Sequence, residues 1–302
     1  MDFKNIILHI NGGIGKNVVA TGVLQAIKKT YPTQSIYVLT GWNEIFKSDS
    51  NVERAFKFGN TQYFYEDHIR RGNALLMAQE PYLSTQHVVQ RKPLIQSWIE
   101  MYGMVYDGEM PKLNFNFRHK QAVQSNYKRD KPTIMIHSNG GAPDPEGKRI
   151  YSWARDIPIK TGQKIVSALK DKYHFFQICF NQQQVLDGCE PIQGLNEMEM
   201  FALLKTTSGR ILIDSCMQHA AAAMSLPSTV LWIANDPEVW SYDCHTHIQP
   251  NVKTTFNYPA KDFYQRYDIA GSTDEYPYDT DDIFDVDQIV SSVEKQIYES
   301  DV

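Results

Sequence analysis

Residues 6–40 constrain the fold more than any other stretch of the chain. Ile6-Ile7-Leu8-His9-Ile10 is apolar at nearly every position, as a strand buried on both faces is. The glycine-rich run Asn11-Gly12-Gly13-Ile14-Gly15-Lys16-Asn17 then turns the chain. Over residues 17–30 the apolar positions Val19, Val23, Ala26 and Ile27 recur at helical spacing. Lys28 and Lys29 suit the negative end of that helix, and Pro32 ends it. Ser35-Ile36-Tyr37-Val38-Leu39-Thr40 is the next strand. Strand, glycine turn, helix and strand in so short a span form a βαβ unit, whose crossover holds the two strands parallel. A doubly wound sheet is therefore expected at the start of the chain.

The remaining pattern predicts a second lobe of the same kind. A third strand is expected at 62–65, a helix at 94–104 built on Ile95, Trp98, Ile99 and Met101, and a basic interdomain linker at 118–131. Strands at 133–137, 175–180, 210–213 and 229–233 then alternate with helices at 161–170, after the capping pair Asn196 and Glu199, and at 217–224. A last helix, 285–299, opens on Asp285 with Gln288 three residues on, and is a candidate to pack back on the first lobe. With 302 residues the chain suits two Rossmann-like α/β domains, 1–130 and 131–302, facing across a cleft. Parallel sheets bind ligands beyond the carboxyl ends of their strands, so the site is expected in that cleft.

Composition narrows the class. The hydrophobic fraction of 42% and charged fraction of 22% belong to an ordinary globular chain, which excludes a disordered one. No apolar run approaches the ~18 residues of a membrane span, and Met1-Asp2-Phe3-Lys4 leads into a strand rather than a signal segment. A cytoplasmic location is expected. Cys179, Cys189, Cys216 and Cys244 form no C-x-x-C pair and read as reduced, mostly buried thiols. Residues 1–130 carry 16 Lys+Arg against 11 Asp+Glu, and the remainder 14 against 24. That split suits a first lobe meeting an anionic partner, or simply a solvated excess of lysines.

Two turns carry the candidate chemistry. In the first, glycines permit positive φ and close approach of a ligand to amides at a helix start, or serve only a tight βα turn. Its spacing is neither G-x-x-x-x-G-K-[ST] nor G-x-G-x-x-G. In the second, Asp214-Ser215-Cys216-Met217-Gln218-His219 leads from a strand into Ala220-Ala221-Ala222-Ala223. Its free amides and Ser215 suit a diphosphate, or Asp214 and Ser215 merely cap the helix. Asp279-Thr280-Asp281 spells a manganese-type D-x-D but lies in an acidic loop, and Cys244-His245-Thr246-His247 lacks a fourth ligand, so no metal is expected.

Taken in order, these pieces resemble glycosyltransferase family 9, the ADP-heptose lipopolysaccharide heptosyltransferases of the GT-B fold. The resemblance rests on G-G-I-G, Lys28-Lys29-Thr30-Tyr31-Pro32, Asn51-Val52-Glu53-Arg54-Ala55-Phe56, Ile136-His137-Ser138-Asn139-Gly140 and Trp153. Above all it rests on the run 213–223, with Leu226-Pro227 and Asn235-Asp236-Pro237-Glu238-Val239-Trp240. It implies a nucleotide diphosphate sugar, ADP- or UDP-linked, as donor in the second lobe, inversion at the anomeric carbon and no obligatory cofactor or metal. On it Ser215, Cys216 and Met217 offer amides to the diphosphate, Asp214 orients the donor, His219 supports the turn and Asn139 lines the site. Asn11, Gly12, Gly13, Gly15 and Asn17 form the acceptor-side loop.

Two departures from the family shape the remaining assignments. The family places an acid directly after G-G-x-G where this chain has Lys16, and a lysine before the tryptophan where it has Tyr151-Ser152. Lys148, Arg149 or Arg155 is expected to offset the leaving charge, Arg149 first. Glu44 and Asp67, with Glu66 and His68, are the candidate bases, and Lys16 is a candidate contact to an acceptor phosphate. The expected partners are the nucleotide sugar and a polyanionic acceptor, either an LPS-core-type glycan or a hydroxymethylated base in DNA, and no stable protein partner is implied. A glycolipid acceptor would bring the protein to the inner membrane surface. Rival readings are a sugar-nucleotide epimerase or hydrolase and a non-catalytic nucleotide-binding regulator.

Overall fold

A computed structural model describes residues 3–140, 155–179, 184–253 and 278–300. The first lobe runs β1 (Asn5–Ile10), α1 (Ile14–Thr30), β2 (Ser35–Thr40), β3 (Arg54–Lys57), β4 (Leu75–Met77), α2 (Thr85–Val88), α3 (Leu94–Met101) and α4 (Phe117–Asn126). The second runs β5 (Thr133–Ile136), α5 (Ile159–Leu169), β6 (His174–Ile178), β7 (Cys189–Ile192), α6 (Glu197–Thr206) and β8 (Gly209–Ile213). It continues through α7 (Cys216–Ala223), β9 (Thr229–Leu231), α8 (Pro237–Trp240), β10 (Thr246–Ile248) and α9 (Val286–Ser300). Among these residues no helix is long and apolar enough to cross a membrane.

The strands form two wholly parallel sheets, in the order β3-β2-β1-β4 and β10-β9-β8-β5-β6-β7. Each sheet therefore grows to one side and then restarts on the other, between β1 and β4 in the first and between β5 and β8 in the second. Loops diverge at such switch points and leave a crevice at the carboxyl edge.

Alternation along the strands separates two cores. Met135, Leu212 and Val230 face one way and share a cluster with α1, α6, α7 and the first sheet, while Ile134, Ile136, Ile211 and Ile213 face the other. Helices α5 and α9 cover that second face, α9 through Ile289, Val293 and Ile297. The last helix thus packs on its own lobe rather than returning to the first. Asp285 caps it as expected, accepting from the amides of Asp287 and Gln288 at 3.0 and 3.3 Å.

Several elements differ from expectation. The third strand is Arg54–Lys57, and the segment around 62–65 instead enters a turn of π-helix, Tyr65–Arg70. There Phe64 and His68 pack their rings against Phe56 rather than extend the sheet. The expected linker folds as α4, capped by Asn116, and packs against α6. Strands β7 and β10 lie at the edges, where Pro191 is tolerated because an edge strand can do without one ladder donor.

Candidate functional site

At the second switch point the loops after β5 and β8 lie side by side. Ser215 caps α7 by accepting from the Met217 amide at 3.3 Å, and its hydroxyl meets His137 Nδ1 at 2.8 Å. Asn235 donates to the Asp214 carboxylate, so Asp214 is held by the loop after β9. Asp156 accepts from the Gly140 amide at 2.8 Å and from Asn139 Nδ2 at 3.3 Å, tying the loop after β5 to the chain before α5. A Cβ on Gly140 would lie 3.0 Å from Arg155 Cδ and 3.6 Å from Ser215 Cβ, so the three residues crowd one spot. Burial pushes the Cys216 thiol up to about 12, against which the Arg155 charge pulls it down.

The far side of α7 is locked as firmly. His219 Nδ1 meets the Tyr242 hydroxyl at 3.0 Å, and Gln218 donates to the Trp240 carbonyl at 2.9 Å. His245 Nε2 lies 3.0 Å from the Gln218 carbonyl. A carbonyl only accepts, so Nε2 carries the proton, and burial lowers this imidazole to about 4. His245 is thus a structural support, and no group of metal-ligating side chains occurs among the described residues. Thr280 and Asp281 lie beside α5, where the Asp281 carbonyl accepts from Thr161 at 3.1 Å.

The first switch point presents the glycine turn. Gly12 has φ +112°, which only glycine adopts without strain, and its carbonyl accepts from Trp42 Nε1 at 3.1 Å. Asn17 donates to the Gly13 carbonyl at 2.9 Å and accepts from Thr40 at 2.5 Å. Asn11, Gly12 and Gly13 are exposed, whereas α1 begins at Ile14 with no side-chain cap. Its first amides are therefore left to solvent or a ligand. Lys16 is turned inward and buried. Its Nζ is 2.5 Å from Glu80 Oε2 and lies over the rings of Tyr82 and Trp98 at 5.2 and 5.6 Å. Burial lowers the Lys16 ammonium, partly offset by the bond to Glu80.

The two turns touch. A Cβ on Gly15 would lie 3.0 Å from His219 Cδ2 and 3.3 Å from Cys216 Cα, so α1 and α7 meet start to start. Tyr82 and His87 lie against the Trp240 ring at 5.4 and 5.0 Å, and Arg91 pairs with Asp236 at 2.8 Å.

The expected bases are spread out. Glu44 sits after β2, paired with Lys47 on an exposed turn. Asp67 pairs with Arg71 at 3.7 Å, and the adjoining His68 carbonyl accepts from Asn5 at the amino end of β1, so this segment leads away from the cleft. Lys148, Arg149 and Trp153 lie outside the described residues. Sequence reasoning missed Glu80, which no local pattern marks.

Comparison with solved structures decides the fold. E. coli ADP-heptose LPS heptosyltransferase II superposes over 99% of this chain and 100% of its own, with TM-score 0.66 at 10% identity. The chain has the heptosyltransferase fold. A glycosyltransferase of family 9 from Veillonella parvula matches over 99% of this chain and 98% of its own, with TM-score 0.65 at 12% identity. The dodecameric iron-containing heptosyltransferase TibC of enterotoxigenic E. coli, in complex with ADP-D-β-D-heptose, matches over 100% of this chain and 77% of its own, with TM-score 0.65 at 13% identity. No family model and no curated protein matches the sequence. The GT-B architecture read from the sequence motifs is thus borne out at the level of the fold.

Proposed function

We propose that this protein is a glycosyltransferase that moves a sugar from a nucleotide diphosphate sugar to a hydroxyl of an LPS-core-type glycan. The observation that carries this reading is the convergence of the loops after β5 and β8 at the switch point of the second sheet, against Gly15 of the first lobe. The diphosphate lies at the start of α7, where the amides of Cys216 and Met217 and the Arg155 guanidinium offset the charge that builds on the leaving group. Asp214, fixed by Asn235, orients the donor, and His219 holds the turn through Tyr242. Transfer is metal-independent and inverting, as the family resemblance implies. TibC in complex with ADP-heptose favours ADP over UDP as the donor nucleotide.

The acceptor reading turns on the basic side chains of the first lobe. Four of them, Arg70, Arg71, Arg91 and Lys92, are each paired with a carboxylate, Glu66, Asp67, Asp236 and Glu100. The likeness to an LPS heptosyltransferase favours a glycan over a hydroxymethylated base. Incubation with a panel of nucleotide sugars and either glycolipid or hydroxymethylated DNA, following nucleotide release and product mass, tests the reading. Release of nucleoside diphosphate only with glycolipid supports it. Consumption of donor with no acceptor present, or binding without turnover on every pairing, overturns it.

A further inference from the structure

We propose that Glu80 is the general base of the transfer and that Lys16 positions it, an inference that rests on the glycosyltransferase reading above. The first sheet changes its direction of growth between β1 and β4, so the loops that leave these two strands border its crevice. One is the glycine turn. The other runs from Met77 to Glu80 and on into the turn Pro81–Leu83.

Both loops reach the second lobe. Gly15 abuts Cys216 and His219 at the start of α7, and the Tyr82 ring lies 5.4 Å from that of Trp240. Glu80 sits between these two contacts, bonded to the residue after Gly15 and preceding Tyr82 by two positions. Its Oε2 accepts from Lys16 at 2.5 Å and its Oε1 from the Tyr82 amide at 3.3 Å. A carboxylate offers about four lone-pair sites, so each oxygen keeps one for a hydroxyl proton.

Exposure separates the roles of the pair. The Glu80 side chain is 37% exposed and that of Lys16 only 5%. Glu80 can therefore meet an acceptor, while Lys16, enclosed by Tyr82 and Trp98, holds the carboxylate in place. The carboxylates read from the sequence, Glu44, Glu66 and Asp67, are less well placed. Glu44 is engaged with Lys47 after β2, away from the switch point, and Asp67 belongs to the segment that runs to the amino end of β1.

In the step itself the acceptor oxygen forms a bond to the anomeric carbon, while the bond from that carbon to the β-phosphate oxygen breaks. That electron pair leaves with the nucleoside diphosphate, and the hydroxyl proton passes to Glu80, which later releases it to solvent. Donor and alcohol become glycoside, nucleoside diphosphate and one proton.

Glu80→Gln is nearly isosteric and keeps an oxygen for Lys16, so the fold is retained and thermal melting checks it. General-base loss is expected to lower kcat by about 10²- to 10⁴-fold, while the dissociation constant for the nucleotide sugar stays within about threefold of wild type. Glu80→Asp, which keeps a carboxylate at shorter reach, falls between the two. Turnover of Glu80→Gln within about threefold of wild type, or a fall in donor affinity that accounts for the whole loss, overturns the assignment. Failure of the underlying reading has a different signature: wild-type protein that neither binds nor consumes any nucleotide sugar, which removes both.

Discussion

The two turns that meet at the cleft are alike in plan and opposite in construction. Each leaves a strand at a sheet's switch point and opens a helix. The turn after β8 is fixed by side chains throughout: Ser215 caps its helix, and His137, Asn235 and Tyr242 hold Ser215, Asp214 and His219. The turn after β1 has no capping side chain, a glycine at φ +112° and a buried lysine whose partner lies 64 residues on. A cradle for a constant group is best built rigid, with every polar atom fixed beforehand. A surface that must accept a variable hydroxyl keeps its amides open and takes its charge from a separate loop.

Acidification strains both regions and has the largest expected effect. Burial lowers His245, which supports α7, and His87, which packs on Trp240, each to about 4 from 6.5. Between these values the unfolded chain binds the extra protons, so the stability from each neutral imidazole is intact at pH 7. It drains away as pH falls from about 6.5 to about 4, by up to about 3 kcal/mol apiece. Urea melts at pH 7, 5.5 and 4.5 should show the decline, and replacing both histidines with glutamine should flatten it.

Next in size is the asymmetry of the lysine pair. Glu80→Ala strands the Lys16 ammonium in a nearly closed site and is expected to remove about 2–3 kcal/mol. Lys16→Met fills the same space with apolar volume and leaves stability near wild type. Equal losses in the two variants, read from thermal melts, would contradict a pair in which only one member is buried. Gly15→Ala pushes a methyl against Cys216 and His219, where Cys216 offers only backbone; about 2 kcal/mol is the expected penalty. Ser215→Ala is the mildest, about 1 kcal/mol for the lost cap, with weaker nucleotide binding measured by calorimetry.

Legibility in the sequence followed locality. The turn at 214–219 and its helix are contiguous, so strand, cap and small residues could be read together. The capping box of Asn196 and Glu199 was equally readable and is present. Strand β3 was missed because Arg54-Ala55-Phe56-Lys57 is short, charged at both ends and half exposed at a sheet edge, leaving little alternation to detect. Helix α4 looked like a linker because its outer face is basic and polar, while the contact that orders it comes from α6 and Val123. Glu80 had no signal at all. Its significance comes from β4 pairing beside β1, a fact of topology rather than of spacing.

The seam where α1 lies on α7 has a mechanical consequence. Val18, Val19, Met217, Ala220 and Ala221 belong to one apolar cluster that runs through both lobes. Swinging the lobes apart would wet that seam at about 25 cal/mol for each Å² exposed. The seam therefore opposes any swinging of one lobe against the other. The same seam couples the fates of the halves: melting one strips apolar packing from the other, so heat should dissolve the molecule in a single cooperative step.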